Sequence, residues 1–464
     1  MFVCVCVCVF SVGLRRVHGG SIGFCYGRNG DNLPSPQSVA QFLAKQSIGK
    51  VRIYDYNTSV ITAFAGTSID LVITIPNEEL PNFQTEELAD AWVNSVLSPL
   101  VALSGFTISV VTVGVEVPNL TPHLAPFVLP AMLNIHTGLT KANLANEIKV
   151  STAHSMAILQ TSFPPSSAAF NASLAASFVK PILDFLKQTG SFYMANAYPY
   201  HAYMFEQDSV ALDYALFQPK KSVVDPNTNL SYTGMLFAQL DAVYFALESM
   251  GHSELNVVVS ETGWPTKGDS DETAATVQNA AAYNNHLMEL VNNETGTPYR
   301  PGHPLQAFIF SVFDEDKKPG KSSERNWGVF DVNEDSFYYL DVNNSESGSP
   351  QSFNGTGGTW CVAIPSASNE SLEEGLNYAC GQGNADCAPI QQGQACFSPD
   401  TFVNHASYAY NSYYQRSGDN SAACNFGGTA MITTSNPSKD GFFSFLKPFS
   451  LSTKSVCSPP SSDN

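Results

Sequence analysis

LNVVVSETGWPTKG, residues 255–268, is a β-branched apolar run that stops abruptly at a carboxylate and continues into Gly263, Trp264 and Pro265. A buried parallel strand has this form where it emerges into a site, because both its faces are covered until its last residues. Glu261 is thereby placed at the C-terminal end of a strand, where barrel enzymes carry their catalytic groups. Trp264 is close enough in sequence to offer an aromatic face beside that charge. A plain strand end carrying an exposed glutamate is the alternative on this stretch alone.

Runs of the same kind recur along the chain: SIGFCYG (21–27), KVRIYD (50–55), DLVITIPN (70–77), FTISVVTVGVEV (106–117), KVSTAHSM (149–156), FYMANAYPY (192–200) and AFIFSVFDE (307–315). NVVVSETG (256–263) is the seventh of the eight in order. Between them lie segments such as 86–101 and 233–250, whose apolar residues repeat at helical spacing. Eight strands alternating with helices close a barrel, so the pattern predicts an α/β fold, a (β/α)8 TIM barrel over 21–340. A doubly wound open sheet fits less well. No GxGxxG follows the first strand, and chemistry-bearing residues end several strands instead of gathering at one crevice.

The chain has 464 residues, 44% hydrophobic and 14% charged, which suits one domain of roughly 300 residues and a smaller one. Its formal charge of -19 would repel a polyanion before contact, so nucleic acid and anionic membranes are poor partners and a neutral substrate fits better. Residues 2–14 are apolar but too few to span a bilayer, and Gly19, Gly20 and Ser21 follow, so 1–20 is read as a secretory signal. The expected basic residues fall after the apolar run, at Arg15 and Arg16, instead of before it. Sequons at Asn57, Asn119, Asn171, Asn229, Asn293, Asn343, Asn354 and Asn369 suit a secreted glycoprotein.

From 26 to 360 there is no cysteine, whereas Cys361, Cys380, Cys387, Cys396, Cys424 and Cys457 crowd the C-terminal part. That density suggests a small disulfide-stapled module in an exported protein. Zinc is the other reading, but the spacings hold no CxxC pair and no matching His pair. Cys25 is left over as a small buried residue. The polar, Gly-containing stretch DVNNSESGSPQSFNGTGG (341–358) is read as a linker, 359–457 as the module and 458–464 as a tail. No cofactor or metal is expected, since the nine histidines form no HExxH or comparable group.

A second carboxylate becomes important because hydrolysing an acetal near neutral pH needs one group to protonate the leaving oxygen and another to attack or stabilise the anomeric carbon. Glu116 ends the fourth run as Glu261 ends the seventh, so both would face the same mouth. A rim carboxylate paired with a cation is the alternative reading of Glu116. Retaining chemistry would place the two carboxyls ~5 to 5.5 Å apart, with the acid's pKa raised by its neighbour and by burial.

Position by position, LNVVVSETGWPTKG resembles the signature of glycoside hydrolase family 17, the plant endo-β-1,3-glucanases. IGFCYGRNGDNLPSP, VRIYDYN, VTVGVEVPN, NAYPYHAY and FDEDKKPGKSSERNWGVF extend the resemblance along 21 to about 340. It implies Glu261 as nucleophile, Glu116 as proton donor, and supporting roles for Glu315, Lys318 and Glu324. A surface ion-pair cluster is the alternative for those three. Tyr54, Tyr198, Tyr200, Phe313 and Trp327 lie at or just after strand ends and, with Trp264, are expected to offer flat apolar faces to pyranose rings. Two positions depart from the family: Val115 stands where Asn commonly precedes the acid, and Cys25 where Asn is frequent.

Past the linker, TWCVA, NYACGQGNADCAPIQQGQACF, HASYAYNSYYQ and CNFGGTA resemble the X8 module, carbohydrate-binding module family 43. The resemblance implies a mainly helical glucan-binding module with bridges Cys361–Cys424, Cys380–Cys387 and Cys396 to a last cysteine. That last cysteine is Cys457 here, farther along than usual. Tyr408, Tyr413 and Tyr414 are either glucan surface or internal packing of the module. The C-terminus shows no hydrophobic tail of a lipid-anchor signal. The expectation is a secreted, monomeric, retaining endo-β-1,3-glucanase of the cell wall, acting on β-1,3-glucan such as callose. A wall-glucan-binding protein with weakened hydrolysis, or a glucanosyl transferase, is the alternative.

Overall fold

A computed structural model describes residues 21–338 and 340, and in the C-terminal region 360–364, 367–394, 396–397, 400–417 and 423–433. The expected signal (1–20), linker (341–358), tail (458–464) and Cys457 lie outside the described residues. Eight strands form a closed parallel barrel: β1 (Ser21–Tyr26), β2 (Lys50–Ile53), β3 (Asp70–Ile75), β4 (Thr107–Val115), β5 (Lys149–Ser155), β6 (Tyr193–Asn196), β7 (Val257–Thr262) and β8 (Gln306–Phe310). Each pairs with the next in sequence, and β8 returns to β1 with Phe310 opposite Cys25.

The outer layer includes α1 (Pro36–Lys45), α2 (Ala125–Lys141), α3 (Lys180–Thr189), α4 (Met235–Ser249) and α5 (Val277–Asn292). Their starts and stops follow local chemistry. Ser35 caps α1 by accepting from the Ser38 N–H, with Pro36 in the first turn, and Gly190 ends α3 with φ 61°. The segment expected to be helical at 86–101 runs through Glu86–Trp92, a π turn at Val93–Leu97, and Ser98–Val101. Two hydroxyls of the barrel strands are satisfied by the neighbouring chain: Thr74 Oγ1 donates to Ile53 O and Ser151 Oγ to Phe192 O, each at 2.7 Å.

The glycine of the decisive stretch has a packing reason. A Cβ on Gly263 would lie 2.3 Å from the carbonyl oxygen of Phe310 on the neighbouring strand, and backbone cannot swing aside as a flexible side chain can. Gly263→Ala is therefore expected to cost roughly 1–3 kcal/mol, seen as a lowered Tm. An unchanged Tm would show that the two backbones do not approach this closely.

In the C-terminal module, β9 (Trp360–Ala363) pairs antiparallel with β10 (Ala430–Thr433) against α6 (Asn369–Cys380) and α7 (Phe402–Arg416). Its core is small, centred on Leu372, Ala406, Ala409 and Tyr410. Disulfides Cys361–Cys424 and Cys380–Cys387 brace it, and the first closes 63 residues, worth roughly 4 kcal/mol in the chain-entropy account. Tyr410 and Tyr414 are buried within the module. The expected Cys396–Cys457 bridge involves a residue outside those described.

Candidate active site

Strand register assembles the site. At the C-terminal mouth, Val115 of β4 is opposite Ala153 of β5, Ser155 of β5 is opposite Asn196 of β6, and Asn196 is opposite Glu261 of β7. Glu116 follows β4 directly, its N–H bonded to Ala153 O at 2.8 Å. Both sequence-derived carboxylates therefore open into one cleft, flanking Asn196.

Glu261 is 7% exposed and held at both oxygens. Arg52 Nη1 donates to Oε1 at 2.8 Å, and Tyr198 OH donates to Oε2 at 2.8 Å. Arg52 is fully buried and also donates to Ser260 O, so its charge faces Glu261 without competing water. A guanidinium stays charged at any accessible pH, so this contact is a charge-assisted hydrogen bond that fixes the Glu261 carboxyl in place. Burial, then the charge of Glu261, pushes the Tyr198 phenol well above its usual range, so it remains a donor. Cys25, at the base of this group, is pushed up to about 12 by burial and by Glu261, which leaves a thiol and no thiolate nucleophile.

Glu116 sits in a different environment. Burial raises its pKa and the charge of Glu261 raises it further, while the hydrogen bond from Asn196 opposes both. That bond runs from Asn196 Nδ2 to Glu116 Oε1 at 2.7 Å, and Asn196 is itself oriented by Ser260 Oγ donating to its Oδ1 at 2.7 Å. The backbone of Glu116 is left-handed, φ 48° and ψ 34°. For a non-glycine residue this conformation costs about 1–2 kcal/mol, and such strain is characteristic of functional positions. A buried carboxyl with a raised pKa is suited to hold the proton that a general acid must deliver.

The loop after β8 supplies a third group. Glu315 Oε1 accepts from Asn29 N at 2.7 Å, Lys318 Nζ lies 3.5 Å from Glu315 Oε2, and Lys318 stands 4.0 Å over the Phe310 ring. Gly27 makes room for this carboxylate, since a Cβ there would meet it at 2.3 Å. Burial raises the Glu324 pKa, and Lys318 opposes the rise.

The family model for glycosyl hydrolases family 17 matches residues 22–342, the whole barrel. The chain belongs to that family. The X8 domain model matches 359–431. Glucan endo-1,3-beta-glucosidase 13 of Arabidopsis thaliana is 43% identical over 446 residues, 93% of this chain and 87% of that protein. Glucan endo-1,3-beta-glucosidase 12 of the same plant is 44% identical, with 90% and 83% covered. A solved β-1,3-glucanase and pollen allergen of Cryptomeria japonica superposes with a TM-score of 0.65 at 39% identity, covering 69% of this chain and 98% of that one.

In this family 17 chain the structure corrects part of the aromatic expectation. Trp264 is 0% exposed: its Nε1 donates to Ala274 O at 2.8 Å and its ring packs on Tyr200 and Tyr283, so it braces the loop after β7 and offers no face to a sugar. Phe313, 1% exposed, leaves the end of β8 outward between Tyr26 and Phe42 of α1. Tyr200 and Trp327 are buried behind the cleft as well. Tyr54 and Tyr198 remain partly exposed beside Glu261. Arg52, Asn196 and Glu272 were missed. Glu272, from the loop after β7, accepts from Tyr200 OH at 3.2 Å, Ser323 Oγ at 2.5 Å and Asp269 N at 2.9 Å, tying that loop to the one carrying Glu324. Arg52 carried a readable signal, because a cation inside an apolar strand run must be paired once buried.

Proposed function

We propose that this endo-β-1,3-glucanase works with retention of configuration, using Glu261 as nucleophile and Glu116 as proton donor, and that it acts outside the cell on wall glucan such as callose. The supporting observation is Asn196: its side chain holds the Glu116 carboxyl while its backbone is in register with Glu261, so the two acidic residues border the same residue of β6. In the first step a Glu261 oxygen attacks the anomeric carbon while the Glu116 proton passes to the glycosidic oxygen. The bond to the leaving chain breaks and a glucosyl ester remains on Glu261. In the second step Glu116, now a carboxylate, takes a proton from water, whose oxygen displaces Glu261. Arg52 and Tyr198 hold the attacking carboxylate in place, so little reorganisation accompanies its change of charge. The X8 module raises the local concentration of polymer around the barrel. Export agrees with two disulfides among the described residues. Reducing ends released from laminarin by the purified chain test the activity directly. No release would reject it.

Val115 favours a second reading, a glucan binder with weakened hydrolysis. The Asn77 side chain brackets the Val115 backbone, accepting from its N–H at 2.8 Å and donating to its O at 2.9 Å, so that amide is committed elsewhere. An Asn side chain at 115 would add a donor for a sugar hydroxyl, and such donors are worth ~2.7–4 kcal/mol in a transition state. Val115→Asn is therefore expected to raise kcat on laminarin on the order of 10²-fold. A variant no faster than the parent would show that Asn196, or another group, already fills the role. A parent that is inert yet sediments with insoluble glucan, and becomes active as Val115→Asn, would make the second reading the right one.

A further inference from the structure

We propose that the C-terminal module is seated on the loop after β7 as an extension of the substrate path, so that one β-1,3-glucan chain occupies the barrel cleft and an aromatic cleft of the module together. This rests on the glucan-hydrolase reading above and adds a second, fixed part to the same site.

The aromatic cleft lies between α6, α7 and the turn before β10, and encloses about 450 Å³. Tyr378, Tyr413 and Phe426 form its wall, with ring centroids 5.4–6.2 Å apart at steep angles, and Tyr378 is 46% exposed. Phe426 is fixed from behind by stacking on buried Tyr410, centroids 3.9 Å apart. Gly375 is required there, because a Cβ would fall 2.0 Å from the Tyr410 hydroxyl. Ser371, Glu374 and Thr429 complete the lining. Aromatic faces beside hydroxyls and a carboxylate, with no lysine or arginine in the lining, match a neutral, hydroxyl-rich, C–H-faced ligand such as a glucan, and disfavour an anion.

Ser371 also lines a second hollow, of about 370 Å³, whose far side is the loop after β7, with Thr266, Lys267, Asp269 and Glu272, and the start of α5 at Gln278. The two hollows are thus neighbours through one residue. The seat itself is tight. A Cβ on Gly428 would lie 2.3 Å from Gln278 Cγ at the start of α5. Phe426, Gly427 and Gly428 have φ of 44°, 68° and 82°, a left-handed turn that the two glycines permit and that sets Phe426 in the cleft and Gly428 on the barrel. The loop forming the seat begins at the end of the nucleophile's strand, and through Glu272 it is bonded to Tyr200 and to Ser323 beside Glu324. The aromatic cleft, the seat and Glu261 are therefore carried on one connected set of elements.

The test is calorimetric titration of Glu261→Gln protein with laminaripentaose and with longer soluble laminarin, in that background and with Tyr378→Ala, Gln278→Arg or Gly428→Ala added. The readout is the ratio of long-chain to short-chain affinity, which a general loss of folded protein does not move. The expected result is a ratio that falls roughly tenfold both when the aromatic wall is cut and when either seat variant displaces the module. A ratio lowered by Tyr378→Ala but untouched by both seat variants would mean an independently moving tether and would overturn the proposal. A ratio unchanged in all variants would overturn it too. Failure of the hydrolase reading is seen separately, as no reducing ends from the unmutated chain.

Discussion

Glu261→Gln is expected to lower kcat on laminarin by on the order of 10⁴-fold or more, the scale that follows from removing a covalent nucleophile. The amide matches the carboxylate in shape and still offers an oxygen to Arg52 Nη1, but it cannot form the glucosyl ester. Circular dichroism and Tm of the variant separate lost chemistry from lost fold, because it leaves the buried guanidinium of Arg52 without its counter-charge. A smaller residue sharpens the test. In Glu261→Ala, azide can enter from the face that the carboxylate occupied, and the product is a glucosyl azide of inverted, α configuration. Restored turnover with β product would contradict attack from that face.

Glu116→Gln is expected to lower hydrolysis of glucan by about 10²–10⁴-fold, the usual worth of a general acid. Aryl β-glucosides with acidic phenol leaving groups lose far less, because their departing oxygen needs no proton. The pH profile carries the sign. In the proposed role Glu116 acts in its protonated form, and burial together with the charge of Glu261 holds its pKa above the ordinary carboxyl value. Activity of the parent therefore falls as pH rises through that raised pKa, and this basic limb disappears in Glu116→Gln. Neutralising Glu261 removes one cause of the rise, so the Glu116 carboxyl of Glu261→Gln titrates at lower pH than in the parent. A basic limb that survives in Glu116→Gln would assign the proton donor elsewhere, with Glu324 the next candidate, since burial raises its pKa too.

The barrel was legible because a parallel strand covered on both faces must be apolar along its length, and each of the eight runs coincides with a strand. The strand-end positions of Glu116 and Glu261 were legible for the same reason: each closes such a run. What was not legible depends on direction after the strand ends. Trp264 and Phe313 lie at the positions that suggest a sugar platform, but their rings turn away from the cleft, Trp264 onto Tyr200 and Tyr283 and Phe313 onto Tyr26 and Phe42, and sequence spacing contains no such angle. Asn196 was invisible because its role comes from register with Ser155 and Glu261 across two strand pairs. Glu272 lies in a polar loop, DSDETAAT, where nothing distinguishes a buried carboxylate from its exposed neighbours until the Tyr200 and Ser323 hydroxyls are seen to converge on it.

The most direct measurement is to trap the covalent intermediate with a 2-deoxy-2-fluoro β-1,3-linked glucosyl fluoride and locate the label by peptide mass spectrometry. The fluorine slows both steps, and the reactive leaving group lets the first outrun the second, so the ester accumulates. The predicted result is one added glycosyl mass on the peptide containing LNVVVSETGWPTKG, at Glu261, with labelling lost in Glu261→Gln. A label on Glu116 or on the 315–324 loop, or hydrolysis that proceeds with inversion and never accumulates an ester, would contradict the assignment of a nucleophile at the end of β7.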